Sequence, residues 1–304
     1  MWVVHLALGL AALYAAIIAG FYFAQTWLLL PTTLAGAARV QLPASTQRLK
    51  VRTADGESLA GVRIPSQGGR AEGAPTLLGF GGNAWNAEAM ALTLQRLLPD
   101  RDVVAFHYRG YALSSGRPSA QALFPDSLAI FDHLQQSQAG EHIVAVGFSI
   151  GSAVAAYLAR HRPVVGLILV TPFDSLEALA RDLCWWAPVN LLLRHRIPTV
   201  EFVRGSLAPT ALIIAKRDAI VPARRSAPLR SGTWCLRAPS TQGTTIFMTT
   251  LPSLQQCERR LRGSRQFQAK HSDDESRREI ASGGSLDRLA VPIGVWTPNN
   301  AAAV

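Results

Sequence analysis

The chain has 304 residues, which is enough for one sizeable domain and a short appendage. Its formal charge of +10 favours contact with anionic surfaces such as lipid headgroups, and the lack of a basic helix interleaved with aromatic residues argues against nucleic acid as a partner. The three cysteines, Cys184, Cys235 and Cys257, lack metal-ligand spacing and form no even set, so they predict neither a metal site nor a disulfide framework.

Residues 1–30 are predicted to form a membrane anchor. No Asp, Glu, Lys or Arg occurs from Trp2 to Leu30, and this segment is longer than the about 20 residues that a helix needs to cross a bilayer. A cleaved signal peptide is the alternative, but its apolar region is usually shorter and follows Lys or Arg, which this N-terminus lacks. We therefore expect a single-pass anchor whose orientation the flanking charges do not specify.

After a predicted linker at 31–46, residues 47–230 are predicted to form one α/β domain. The segment from 47 to 65 alternates apolar and polar residues around Asp55-Gly56, which indicates a hairpin. Short apolar runs then alternate with helical patterns, which predicts a mostly parallel sheet with helices on both faces. The predicted strands are Thr76–Phe80, Val103–His107, Ile143–Gly147, Gly166–Val170 and Ala211–Ala215, and the predicted helices are Ala87–Leu98, Pro125–Gln136 and Ile150–Arg160.

Two further segments interrupt or end this pattern. An insertion at about 175–200 contains Trp185, Trp186 and the run Leu191–Leu193, which is typical of a cap or a membrane-facing lid, although core packing uses the same residue types. From 231 to 304 the alternation stops, and Ser, Thr, Gln and Arg dominate. This composition predicts a disordered tail, and a compact fold rarely ends in so long a structureless segment.

The pattern Gly-x-Ser-x-Gly at 147–151 predicts a nucleophilic serine. Ser149 falls between a predicted strand and a predicted helix, and this is the context that a nucleophile elbow requires. Gly147 and Gly151 are needed because the tight turn leaves no room for Cβ atoms. An ordinary Gly-Ser turn is the alternative, but the flanking strand and helix favour the nucleophile.

Such a serine needs two backbone N–H groups to stabilise an oxyanion. The first follows the nucleophile, and the second comes from the loop after an earlier strand, here the loop that contains Gly81-Gly82. We assign the two donors to the N–H groups of Asn83 and Ile150. The alternative for Gly81-Gly82 is a merely flexible turn.

The predicted acid is Asp218, which follows the last predicted strand in the chain order Ser…Asp…His. Its role would be to orient and stabilise an imidazolium. Asp174 is the second candidate, but we expect it to be the N-cap of a helix. The sequence predicts no cofactor and no metal ligand.

Five segments together resemble a known family: Phe80–Ala84, His107–Ser119, Gly147–Gly151, Thr171–Leu176 and Arg217–Pro222. They are similar to membrane-anchored bacterial α/β-hydrolases of the serine-aminopeptidase-like group, which are relatives of eukaryotic acylprotein thioesterases and lipases. The resemblance covers roughly residues 20–230. It implies the α/β-hydrolase fold, the roles given above for Ser149, Asp218, Asn83 and Ile150, and a place in the bacterial inner membrane. It implies an acyl-containing small molecule, lipid or peptide as substrate.

The family also requires a histidine after the last strand, in a pattern such as Gly-His-Asn, and this chain has none between His195 and His271. His271 lies in a charged run with no strand before it, and the other six histidines precede Asp218. The general base is therefore unknown. The chain is predicted to be an impaired serine hydrolase that cleaves an ester, thioester or amide. The alternative is an inactive hydrolase-fold protein, either a binding module or a frameshifted product.

A shifted reading frame would explain the missing histidine. In the segment 242–250, pairing each codon's third base with the next codon's first two bases permits Gly-His-Asn-Asp-Leu-Tyr-Asp-His. The shifted histidine falls at about position 244, and 244 − 218 = 26 residues beyond the acid is a usual interval in the family. We therefore hypothesise that the frame slips near Arg230 and that the end of the fold is replaced by an unrelated tail.

Overall fold

The computed structural model describes residues 1–36, 40–70, 73–137, 142–215, 218–230 and 234–238. For residue 36 and for 234–238 it describes the backbone only. The rest of the predicted tail at 231–304, including His271 and the proposed position 244, lies outside the described residues.

An eight-stranded sheet forms the centre of the fold. Its strand order is β1-β2-β4-β3-β5-β6-β7-β8, in which β1 and β2 pair antiparallel, as do β2 and β4, and the pairings from β4 to β8 are all parallel. The strands are β1 Gln47–Arg52, β2 Ser58–Ile64, β3 Thr76–Phe80, β4 Val103–Phe106, β5 Ile143–Phe148, β6 Gly166–Val170, β7 Thr210–Ala215 and β8 Trp234–Ala238. The predicted hairpin and the mostly parallel sheet are confirmed.

Helices cover both faces of this sheet, as the apolar strands predicted. Successive residues of a strand point to opposite faces, so Leu78 belongs to the core cluster that includes residues of α4, α5 and α8, whereas Leu77 belongs to the cluster that includes α3. The helices are α1 Trp2–Leu29, α2 Thr32–Gly36, α3 Ala87–Leu97, α4 Ala120–Ser137, α5 Ile150–His161, α6 Leu176–Leu183, α7 Val189–Leu192, α8 Thr199–Arg204 and α9 Ala223–Ser226.

Helix α1 is long and apolar enough to cross a membrane, and none of its residues is buried by the rest of the protein. The segment that follows it is not a plain linker. Its residues 32–36 form α2, and both Leu30 and Ala35 are buried in the core. The predicted linker at 31–46 thus begins with a short helix whose Ala35 packs in the core beside the end of α1.

Most predicted bounds differ from the structure by at most one residue, and two elements differ by more. Helix α4 begins at Ala120 rather than at Pro125, because Ser119 Oγ accepts a hydrogen bond from the backbone N–H of Ala122 and starts the helix one turn earlier. Strand β8 extends the sheet to Ala238, pairing parallel with β7, so the sheet continues beyond the expected boundary at Arg230. The strand was not predicted because the apolar–polar alternation stops after 231. A strand of five residues at the edge of a sheet can form with little apolar patterning.

Candidate active site

Ser149 occupies the sharp turn between β5 and α5. Its backbone has φ 50° and ψ −116°, a conformation that a residue with a Cβ atom rarely adopts. The turn is fixed on both sides: the N–H of Ser149 donates to the carbonyl of Val170 at 2.9 Å, and the N–H of Ser152 donates to the carbonyl of Ser149 at 3.0 Å. The predicted strand-to-helix turn is present, and it holds the serine in a strained conformation.

The two flanking glycines are required by close packing rather than by positive φ. A Cβ atom on Gly147 would lie 2.3 Å from the carbonyl oxygen of Gly151, and one on Gly151 would lie 2.1 Å from the carbonyl oxygen of Phe80. Both contacts are with backbone, which cannot move aside as a flexible side chain can. The backbone of α5 therefore lies directly against the end of β3, and this brings the turn next to the loop that follows β3.

The loop after β3 lies beside Ser149. A Cβ atom on Gly82 would be 3.6 Å from the Cβ of Ser149, which is an ordinary contact distance. Within the described part of the chain, the N–H groups of Asn83 and Ile150 donate to no other group. The N–H of Ile150 is in the first turn of α5, where no intrahelical acceptor exists. These features suit both predicted oxyanion donors, whose roles stay predictions.

Side chains from outside the loop hold it in place. The hydroxyl of Tyr108, which is buried, donates to the carbonyl of Gly81 at 2.7 Å, and the side-chain amide of Asn83 donates to the carbonyl of Leu28, at the end of α1, at 2.8 Å. Burial raises the pKa of Tyr108 well above its usual value, so this hydroxyl keeps its proton. Tyr108 was not predicted from the sequence, although it lies within the motif 107–119.

Asp218, the predicted acid, lies just beyond the end of β7. Its Oδ1 accepts hydrogen bonds from the N–H groups of Ile220 and Val221, at 2.8 and 2.9 Å, and this turn holds the half-buried carboxylate in one orientation. Because β5, β6 and β7 are parallel neighbours, Ser149 and Asp218 lie at the same edge of the sheet, and the strands that they follow are two strand spacings apart, about 10 Å. The two residues do not contact each other, and a bridging group is needed between them.

Asp174 has a different role from the one predicted. The N-cap of α6 is Ser175, whose side chain accepts a hydrogen bond from Ala178 N–H, so the expectation that Asp174 is the cap is wrong by one residue. The carboxylate of Asp174 instead accepts from Arg225 at 3.1 Å and from the N–H of Ser175. An acid already paired with an arginine is a poor partner for an imidazole, which favours Asp218 over Asp174.

None of the six histidines before Asp218 hydrogen bonds to Ser149 or Asp218. His195 is buried and lies 2.8 Å from the hydroxyl of Thr26 through its Nε2. His107 is also buried, and its Nδ1 has no hydrogen-bond partner among the described residues. Burial lowers the pKa of both imidazoles and favours their neutral forms. The described part of the chain therefore contains no group placed to act as the general base.

The sequence pattern of the Alpha/beta hydrolase family matches residues 73–283. The match continues past Arg230, where our sequence analysis expected the family pattern to stop. Among individual proteins, the chain is 34% identical over 225 residues to the uncharacterised protein MT2364 of Mycobacterium tuberculosis, covering 71% of this chain and 78% of that protein.

Two relatives with more informative names match over shorter stretches. Identity to the alpha/beta hydrolase domain-containing protein WAV2 of Arabidopsis thaliana is 30% over 168 residues, which covers 49% of this chain and 54% of WAV2. Identity to the lysophosphatidylserine lipase ABHD12 of Gallus gallus is 34% over 98 residues, which covers 31% of this chain and 25% of the lipase. The chain thus spans about half of WAV2 and a quarter of ABHD12.

Solved structures share the fold at low sequence identity. The Pyrococcus furiosus esterase PF2001 superposes with a TM-score of 0.57 and 17% identity, covering 74% of this chain and 97% of the esterase. An alpha-beta hydrolase from Vibrio vulnificus gives a TM-score of 0.54 at 19% identity, covering 75% of this chain and 81% of that protein.

Proposed function

The chain belongs to the alpha/beta hydrolase family, and from that premise we propose that its chemistry is serine hydrolysis of an ester, thioester or amide through an acyl-serine intermediate. The observation that supports the proposal is the turn between β5 and α5, which holds Ser149 with φ 50°, the strained geometry typical of a nucleophile elbow. Esterase and lipase names among its relatives agree with this reaction class.

In the proposed reaction, Ser149 Oγ attacks the substrate's carbonyl carbon and a general base takes the hydroxyl proton. The oxyanion accepts hydrogen bonds from the N–H groups of Ile150 and Asn83, and the N-terminus of α5 favours the negative charge. The leaving group departs with a proton, and water then hydrolyses the acyl-serine. Asp218 would orient the protonated base.

The base is the component that this chain lacks among its described residues. Removing the triad histidine of subtilisin costs about 10⁶ in kcat, and the remaining rate comes from the oxyanion hole and from binding. We therefore propose that the chain as written is an impaired hydrolase. The frameshift near Arg230 remains our hypothesis for the cause. Sequencing codons 225–250 tests it, because codons that cannot encode Gly-His-Asn in the shifted frame would disprove it.

We further propose that α1 anchors the hydrolase domain in a membrane as a single pass. The helix has the length and composition for this, and the signal-peptide alternative is disfavoured because α1 makes specific contacts with the folded domain, such as the bond between Asn83 and Leu28. A segment removed on secretion has no reason to complete the packing of the mature protein.

The test of the chemistry is labelling with a fluorophosphonate, whose phosphorus is attacked by an activated serine with loss of fluoride. The full chain is compared with Ser149→Ala and with Ser152→Ala, a matched control because Ser152 is buried in the same helix. We expect slow labelling of the chain and of Ser152→Ala, and none of Ser149→Ala.

Failure of the folded chain to label at any rate would favour the second candidate, an inactive hydrolase-fold binding module. Repairing the tail in the shifted frame separates the two further. The repaired chain labels at least about 10³-fold faster if only the base was lost. It stays unlabelled if the site itself is not a serine nucleophile.

A further inference from the structure

The segment Cys184–Arg196, which we call the lid, is bound along one side of α1. The ring of Trp186 packs edge-on against Phe21 with centroids 5.6 Å apart, and the Trp186 carbonyl accepts a hydrogen bond from the Tyr14 hydroxyl at 3.0 Å. The side chain of Gln25 donates to the carbonyl of Leu192 and accepts from the N–H of Arg194, both at 2.9 Å. These contacts fix the height of the lid along the helix.

The height matters because α1 has the length of a membrane span. A helix rises about 1.5 Å per residue, so the contacts of Trp186 at Phe21 and Tyr14 lie about 6 to 16 Å closer to the N-terminus of α1 than the polar contacts at Gln25. The polar contacts suit the headgroup level, where an amide side chain keeps its hydrogen bonds. If Gln25 is at the headgroup level, Trp186 lies deeper, towards the acyl chains.

The outer surface of the lid has the composition of a membrane-contacting surface. Trp185 is 84% exposed and Leu191 is 86% exposed. Together with the exposed apolar surface of α1, they form an apolar patch of a kind that soluble proteins rarely leave in contact with water. Arg194 and Arg196 are both exposed. The N–H of Arg194 binds Gln25 and its guanidinium lies 5.5 Å above the ring of Tyr22, whereas the guanidinium of Arg196 lies 3.8 Å from the carboxylate of Glu177. Trp185, next to Trp186, is at the deeper level, and Leu191, next to Leu192, and Arg194 are at the level of Gln25, an order that matches the profile of a lipid leaflet.

We propose that the lid inserts into the same bilayer that α1 crosses. Trp185, Trp186 and Leu191 enter the boundary between headgroups and acyl chains, and Arg194 and Arg196 bind anionic headgroups. This docking rests on the proposed anchor but not on the proposed chemistry, because it needs neither Ser149 nor a general base. The bond between Asn83 and Leu28 places the loop beside Ser149 at the C-terminal end of α1, the end at which the lid's polar contacts also lie.

The test places an environment-sensitive NBD fluorophore on Leu191→Cys in the full chain, with the three native cysteines changed to serine, in vesicles of phosphatidylcholine and phosphatidylglycerol. The matched control is Leu207→Cys, because Leu207 is apolar and 97% exposed but precedes β7 at the opposite, amino edge of the sheet. We expect nitroxide-labelled lipids to quench the probe at 191, and aqueous iodide to quench it about threefold less than at 207.

Equal iodide quenching at 191 and 207 would overturn the proposal. Protection from iodide without quenching by nitroxide lipids would also overturn it, because a second copy of the chain would then cover the lid. Asn190, which is exposed beside Leu191, provides a second labelling position if Leu191→Cys does not fold. Changing both Arg194 and Arg196 to alanine should reduce the lipid quenching only in vesicles that contain phosphatidylglycerol; an undiminished signal there would remove the headgroup contact from the proposal.

Discussion

At the scale of single residues, the serine turn shows how packing imposes a conformation that the residue itself disfavours. Gly147 and Gly151 let the backbones of α5 and β3 meet, and the chain between them must then turn at Ser149 with a positive φ. The strain is held by the hydrogen bonds to Val170 and Ser152. The side chain of Ser149 is therefore presented at a fixed place, and this positioning is what a nucleophile needs.

Replacing Ser149 by glycine should stabilise the protein. Glycine adopts positive φ without steric cost, so we expect Ser149→Gly to raise the free energy of unfolding by about 1 kcal/mol relative to Ser149→Ala, which keeps the Cβ atom. Chemical denaturation of both variants measures the difference. A glycine variant no more stable than the alanine variant would mean that the turn is not strained.

Gly151→Ala should be strongly destabilising, by about 3 kcal/mol, because its Cβ would lie 2.1 Å from a backbone oxygen. Gly82→Ala in the neighbouring loop is the matched control: its nearest contact is 3.5 Å, and we expect a change within about 0.5 kcal/mol. Thermal unfolding compares the two variants, and similar melting temperatures would argue against the close contact of α5 with β3.

At the scale of elements, the helix α6 that leads into the lid is clamped to α9. Arg225 of α9 donates to both carboxylate oxygens of Asp182, at 2.7 and 2.8 Å, and to Asp174 at 3.1 Å. The hydrogen bonds from Arg225, helped by Arg224, lower the pKa of Asp182 to about 2. The clamp joins the segment after β6 to the segment after β7, on either side of the edge where Ser149 and Asp218 lie.

This clamp predicts a defined pH dependence. A carboxyl whose folded pKa is lowered contributes stability that is complete above its ordinary value of 3.8 and is lost as the pH falls towards about 2. We therefore expect Asp182→Asn to lower the melting temperature equally at neutral pH and at about pH 5, and less at about pH 3. Differential scanning fluorimetry measures this, and a deficit that does not shrink in acid would contradict the charge pairing.

At the scale of the whole molecule, the sheet brings the proposed nucleophile, the proposed oxyanion loop and the proposed acid to one edge, and no described residue is placed there as a base. Ser149, the loop after β3 and Asp218 share one edge because β3, β5 and β7 are parallel and nearly adjacent. The family's histidine belongs after the last strand, and β8 ends at Ala238 beside β7. If the chain lacks its base, as we propose, a small base supplied in solution should restore part of the activity.

Adding imidazole to the buffer tests whether a missing base limits the activity. We expect it to raise the rate of hydrolysis of a p-nitrophenyl ester by the chain about 10²-fold over the same concentration without protein, because a positioned base contributes about 10² to 10⁴. Asp218→Asn keeps an oxygen acceptor for Ile220 N–H but loses the charge that stabilises imidazolium, so it should lose the rescue. Rescue of equal size in Asp218→Asn would remove Asp218 from the site.

Several features could be predicted from local sequence patterns alone. The strands Thr76–Phe80 and Gly166–Val170 have the bounds that their apolar runs predicted, since strands buried on both faces must be apolar throughout. Ser149 could be predicted because the pattern Gly-x-Ser-x-Gly, with a glycine two residues away on each side, marks this kind of turn in the sequence alone. The N-cap at Ser175 and the start of α4 were misplaced, because Ser, Thr and Asp all serve as caps and only the backbone geometry selects one of them.

The sequence by itself therefore determined the fold class, the position of the serine turn and the apolar helix at the N-terminus, because each depends on residues that are neighbours in the chain. Only the tertiary structure decided that Tyr108 and Leu28 hold the loop beside Ser149 and that the lid lies against α1. These contacts join residues far apart in the chain, so no local period or motif encodes them, and they exist only once the sheet has brought its loops to one edge.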